Sequence, residues 1–175
     1  IHTGTLRIVA GDDIHVSTAI SPGHVSKALS LESPNTITQA TGASISAPAL
    51  ALRAYSVDLQ EANGTGVIAA EIAGDFKYRT INKLTVSSID GVSGISRAGE
   101  SEGESEQTPG TILLQSDSAH GINQDIHGDI DTYGATLVLR SSGSVQLAND
   151  GNVIDKLAGT STGGMDVFSS YDMRV

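Results

Sequence analysis

Large apolar residues recur along the chain in pairs separated by one residue: Leu6 and Ile8, Ile14 and Val16, Leu29 and Leu31, Leu50 and Leu52, Val57 and Leu59. Phe76 and Tyr78, Leu84 and Val86, Ile112 and Leu114, Leu137 and Leu139, and Val145 and Leu147 continue the series. Side chains alternate between the two faces of a strand, so this period of 2, broken by turns, predicts short β-strands rather than helices. Val67, Ile72 and Ile89 read as further core positions. Asn63-Gly64, Gly74 and Asp90-Gly91 separate the pairs and supply the positive φ that tight turns need. Pro22 and Pro34 mark loops and Pro48 a corner. No convincing amphipathic helix is present. The nearest pattern is residues 66–73, with a counterpart at 152–159, and a single helical turn at a corner is the most it allows.

The pattern returns. ITQATGASIS, from Ile37, is echoed by INQDIHGDID from Ile122, and ALALRAYSVDL, from Ala49, by ATLVLRSSGSVQL from Ala135. Asn63-Gly64 is matched with Asp150-Gly151, VIAAEIAG with VIDKLAG, and FKYRTINKLTV more loosely with VFSSYDMRV. GTLRIVAGDDIHV, from Gly4, opens the chain as a partial third copy. A period of about 87 residues therefore contains shorter turns of about 21 to 28, the size of one coil of a β-solenoid. Coil starts at Leu6, Leu29, Leu50, Phe76 to Leu84, Ile112, Leu137 and Met165 give about seven coils. At about 4.8 Å per strand spacing, such a stack is roughly 30 to 35 Å long. The expected fold is all-β, a parallel β-helix in one segment of 175 residues. Its parts are a partial repeat (1–28), a repeat (29–96), an acidic loop insertion (97–110) and a second repeat (111–175).

Composition narrows the function classes. Twenty acidic against ten basic residues give a net charge of −10, which argues against nucleic-acid backbones and anionic membranes as partners. No run of 18 apolar residues exists for a spanning helix, and no membrane insertion is expected. Cysteine is absent, so no thiolate site or disulfide forms. Aromatics make up only 3 %, few for an enzyme or for a sugar-stacking platform. The start at Ile1, with strand patterns running to both ends, suggests a processed product or an excised piece.

The candidate chemistry is thin. His120 and His127, with Asp125, Asp129 and Asp131 nearby, could hold a metal, but their side chains would have to converge from separate turns. His2, His15 and His24 are scattered. The clusters Gly11-Asp12-Asp13, Gly128-Asp129-Ile130-Asp131 and Asn149-Asp150-Gly151-Asn152 offer oxygen ligands for Ca²⁺, yet turns favour the same residues. Glu100, Glu102, Glu104 and Glu106 lie in a stretch without large apolar residues, which reads as a solvated loop. Asn63-Gly64-Thr65 is a glycosylation sequon that equally fits a turn. No catalytic, cofactor-binding or metal residue is assigned and no cofactor is expected, Ca²⁺ at these turns being the one candidate. A β-helical polysaccharide lyase or hydrolase would need paired carboxylates or a basic groove. The sparse basic residues favour a protein that is not an enzyme.

The motifs ITQATGASISAPALAL, VDLQEANGTGVIAAEIAG and LTVSSIDGVSGI, with the echo over 122–159, resemble the repeat region of filamentous-haemagglutinin-like adhesins. These are large bacterial exoproteins of two-partner secretion. The resemblance covers most of residues 29–95 and 112–175. It implies a right-handed β-helical shaft, secreted and held at the bacterial cell surface, with a host glycan or surface receptor as partner. The family's N-terminal secretion domain is not matched, nor is the acidic insertion. A self-assembling fibre subunit, stacking on copies of itself through uncapped coil edges, is the alternative.

Overall fold

The computed structural model describes residues 4–21, 23, 27–98 and 110–175, and among them there are nineteen strands and no helix. His2, Pro22, His24, Pro109 and the glutamates Glu100, Glu102, Glu104 and Glu106 lie outside the described residues.

The first sheet orders β1 (Leu6–Val9), β3 (Leu29–Glu32), β5 (Leu50–Ala54), β7 (Val67–Ile72), β9 (Leu84–Val86), β14 (Ile122–Gln124), β17 (Val145–Leu147) and β19 (Met165–Val167) side by side. Beside this path, β12 (Ile95–Arg97) pairs with β7 and with β15 (Ile130–Asp131). The second sheet orders β2 (Ile14–Val16), β4 (Thr36–Gln39), β6 (Ser56–Asn63), β8 (Phe76–Thr80), β13 (Thr111–Ser116), β16 (Thr136–Ser141) and β18 (Lys156–Ser161). Every pairing in both sheets is parallel. Along the chain the strands mostly alternate between the sheets, except that β9 and β12, and then β14 and β15, follow one another in the first sheet, an order compatible with a solenoid.

Parallel register stacks like on like. Ile14, Ile37, Val57, Phe76, Ile112, Leu137 and Leu157 form one column through the second sheet. Leu6, Leu29, Leu50, Ile68 and Val86 form another in the first. Most of these side chains belong to a single buried cluster, so each layer shares its apolar burial with the layers on either side.

Two polar clamps sit inside this apolar stack, and they mark the repeat. Asn63 is fully buried; its Oδ1 accepts from Ile45 N (2.8 Å) and Gln39 Nε2 (3.0 Å), while its Nδ2 donates to the carbonyls of Leu59 and Arg79, both at 3.0 Å. Asn152, also buried, repeats the arrangement: Oδ1 accepts from Ile130 N and Gln124 Nε2, both at 2.9 Å, and Nδ2 donates to the carbonyls of Leu147 (3.2 Å) and Phe168 (3.3 Å). The partner of Asn63 in the repeat is thus Asn152, two positions on from the expected Asp150-Gly151 match. The copies also exchange sheets: β4 lies in the second sheet and its echo β14 in the first. Both sheets demand the same alternating aliphatics, so sequence alone cannot separate them. For the same reason the expected coil starts mix strands of the two sheets.

Three further expectations are corrected. Asn63-Gly64 is not a turn, since Asn63 ends β6 and positive φ occurs elsewhere. At Gly64 a side chain would collide with Ser46, so the glycine serves close approach. Within residues 66–73, Val67–Ile72 form a strand, β7, and within 152–159 the residues from Lys156 on belong to β18, because strands of the neighbouring layers pair with them. Ile89 belongs to neither large sheet. It sits in an antiparallel hairpin, β10 (Ser88–Ile89) and β11 (Val92–Ser93), turned by Asp90 (φ 51°) and Gly91 (φ 76°) as the sequence predicts. Ile89 and Val92 fold back onto Ala28, Ala51 and Ala69 as a small separate apolar cluster.

Candidate functional site

The acidic clusters are occupied as turn locks. Asp13 Oδ1 accepts from Thr36 Oγ1 (2.7 Å) and Thr36 N (2.9 Å), and these bonds hold its carboxyl below the usual range. Asp12 accepts from Asn35 Nδ2. Asp125 takes the hydroxyl of Ser87 and the N–H of His127 (2.9 Å), while Asp129 accepts from Asn149 Nδ2 (3.0 Å). Asp131 accepts from Tyr133 N at 3.1 Å. His120 and His127 are both exposed, and His15 Nδ1 meets Thr38 Oγ1 at 2.9 Å on the next strand. Among the described residues no three His, Asp or Glu are grouped to hold a metal ion. Asn63, the sequon residue, has both amide hydrogens' directions committed inside the core.

A groove of about 540 Å³ opens where the first sheet ends at β3, β5 and β7. Register sets its floor: Glu32, Arg53 and Glu71 occupy the same position on three successive strands. Arg7 from β1 pairs with Glu32, and Arg53 Nε lies 3.5 Å from Glu71. Arg53 Nη2 donates to the Asp90 carbonyl at 3.1 Å, tying the hairpin to the sheet, while Nη1 is buried without a hydrogen-bond partner. Pro34, the exposed Tyr55 and Ala98 complete the walls. Two carboxylates flanking a guanidinium make a polar, charge-balanced trough, with both acids engaged by arginines. The row was missed in the sequence because Glu32, Arg53 and Glu71 become neighbours only once the layer register is known.

The ends of the stack have a different character. Among the described residues β1 pairs only with β3, β19 only with β17 and β2 only with β4. Leu6 and Ile8 are 39 % and 40 % exposed, whereas Leu29 and Leu31, one layer in, are sealed. Met165, Phe168 and Tyr171 are exposed at the other end. Strand edges with open backbone groups and apolar side chains are templates for further parallel pairing.

Comparison of the chain with protein-family models, with curated proteins and with solved structures finds no match to any.

Proposed function

We infer that the chain is a structural shaft or binding segment of a secreted bacterial surface adhesin of the filamentous-haemagglutinin-like kind, built as a right-handed parallel β-helix of about seven coils. The observation that carries this reading is the seven-deep column from Ile14 to Leu157, a periodic apolar spine suited to rigid extension. The groove floored by Glu32, Arg53 and Glu71 spans three successive layers, the kind of surface such a shaft displays. A non-enzymatic role agrees with acids locked in turns or paired with arginines. Immunogold labelling of intact source cells with antibody against the folded chain tests the location. Surface gold is expected; labelling only after permeabilisation contradicts the reading.

The open edges of β1 and β19 favour a second reading, a fibre subunit that stacks end to end on copies of itself. The two share a fold and differ in what continues the stack.

A further inference from the structure

Asp131, Tyr133, Gly134, Val153, Asp155 and Tyr171 line a second groove of about 400 Å³. It is assembled from successive layers: Asp131 pairs in parallel with Val153, and Ile154 N donates to Ser169 Oγ, two residues before Tyr171. Of the chain's four tyrosines, Tyr78 is buried and the other three are exposed, each lining one of the two grooves. A chain so poor in aromatics thus places all three of its exposed tyrosines in concave surface.

Tyr133 is held in left-handed backbone, φ 38°, a conformation disfavoured for a large side chain. Its surroundings fix it there. Tyr133 N donates to Asp131 Oδ1 (3.1 Å), Arg97 Nη1 donates to the Tyr133 carbonyl (3.0 Å), and Gly134 N donates to Asp155 Oδ2 (2.7 Å). Thr132 Oγ1 bonds the same Oδ2 at 3.3 Å, and Lys156 Nζ donates to the Gly134 carbonyl at 3.3 Å. Asp131 Oδ2 and Asp155 Oδ1 have no hydrogen bond among the described residues, so each acid keeps one oxygen for a ligand.

We propose that this groove binds a neutral, hydroxyl-rich glycan. The exposed faces of Tyr133 and Tyr171 take the C–H face of a sugar ring, and the free oxygens of Asp131 and Asp155 accept from its hydroxyls. Arg97 and Lys156 donate to the Tyr133 and Gly134 carbonyls, so two cationic side chains stand close to the two carboxylates. The chain's net charge of −10 repels a polyuronate or sulfated chain. Layers about 4.8 Å apart spread the contacts along the stack axis, which suits an extended oligosaccharide. The site deepens the display role proposed above and rests on it for its surface setting.

Isothermal titration of the folded chain with cellohexaose, xylohexaose, maltohexaose and mannohexaose tests it, with hexagalacturonate and choline as charged probes. Tyr133→Asn removes the ring while tolerating positive φ, and Tyr171→Ala removes the exposed second ring; circular dichroism confirms that both variants fold. Binding of at least one neutral hexaose is expected, weakened about tenfold by each variant. Failure of all four to bind, unchanged affinity in either variant, or a preference for hexagalacturonate or choline overturns the proposal. The titration reads the groove alone, so its failure leaves the surface-labelling result standing, and the converse holds too.

Discussion

Asn63→Ala is the substitution that most sharply tests why the stack holds its register. The native amide satisfies Ile45 N–H and the carbonyls of Leu59 and Arg79, and exchanges two bonds with Gln39 at 3.0 and 3.2 Å. Alanine leaves the buried Ile45 N–H unsatisfied, at about 1 to 3 kcal/mol, and removes the amide's bonds to the Leu59 and Arg79 carbonyls and to Gln39, at about 0.5 to 1.5 kcal/mol each. Water entering the vacated space relieves part of that, so a net loss of about 4 kcal/mol is expected. With an m-value near the upper end of the usual urea range, the midpoint falls by roughly 1 to 2 M without a change in slope. Asn152→Ala breaks the equivalent set and costs a comparable amount. Gln146→Ala, at an exposed position, stays within about 0.5 kcal/mol of the parent. Asn63→Asp keeps the acceptor but loses the donors and buries a charge, so it is worse than alanine near neutrality and recovers as pH falls and the carboxyl protonates. Equal midpoints for Asn63→Ala and Gln146→Ala refute the clamp. A double-mutant cycle with Gln39→Ala that shows no coupling does the same.

Two further outcomes follow from the core. Leu139 stacks between Leu114 and Gly159 and is fully buried, so Leu139→Ala lowers stability by about 2 to 5 kcal/mol in the same urea assay. Tyr78 donates its hydroxyl to the Thr65 carbonyl at 2.7 Å, and burial pushes its phenol well above the ordinary value of 10.0. A raised folded-state pKa means that its contribution is constant below about pH 10 and is lost as pH rises beyond, where the unfolded chain ionises first. Melting curves from pH 8 to about pH 11 should therefore fall more steeply for the parent than for Tyr78→Phe, and parallel curves would contradict the buried phenol.

The strands were legible because Leu-x-Leu pairs at Leu29, Leu50 and Leu137 repeat a period that only a pleated backbone satisfies. The Asp90-Gly91 turn was legible for an equally local reason, its demand for positive φ. The repeat could be read in its length but not in its phase, since the alternation is identical in the two sheets and nothing local says which sheet a pair joins. Asn63 was mistaken for a turn residue because Asn-Gly has that preference in isolation; the buried hydrogen-bond partners that override it come from Gln39, Ile45 and Arg79, on other layers. Ile89 and Val92 look like coil residues, and only the alanines at 51 and 69, small enough to admit a second apolar layer, place them outside. Both grooves depend on residues far apart in sequence and adjacent in register, such as Glu32 with Arg53, or Tyr133 with Asp155 and Tyr171. Their composition carries no local signal.

The most direct test of an open-ended parallel stack is electron microscopy of the purified chain, paired with its light-scattering mass. Exposed Leu6 and Ile8 at one end and Met165 at the other predict association through the strand edges. Filaments or short rods with an axial repeat of roughly 30 to 35 Å, and a mass that rises with concentration, are expected. A compact particle of 17.9 kDa mass at every concentration would contradict stacking on further copies of the chain through these edges.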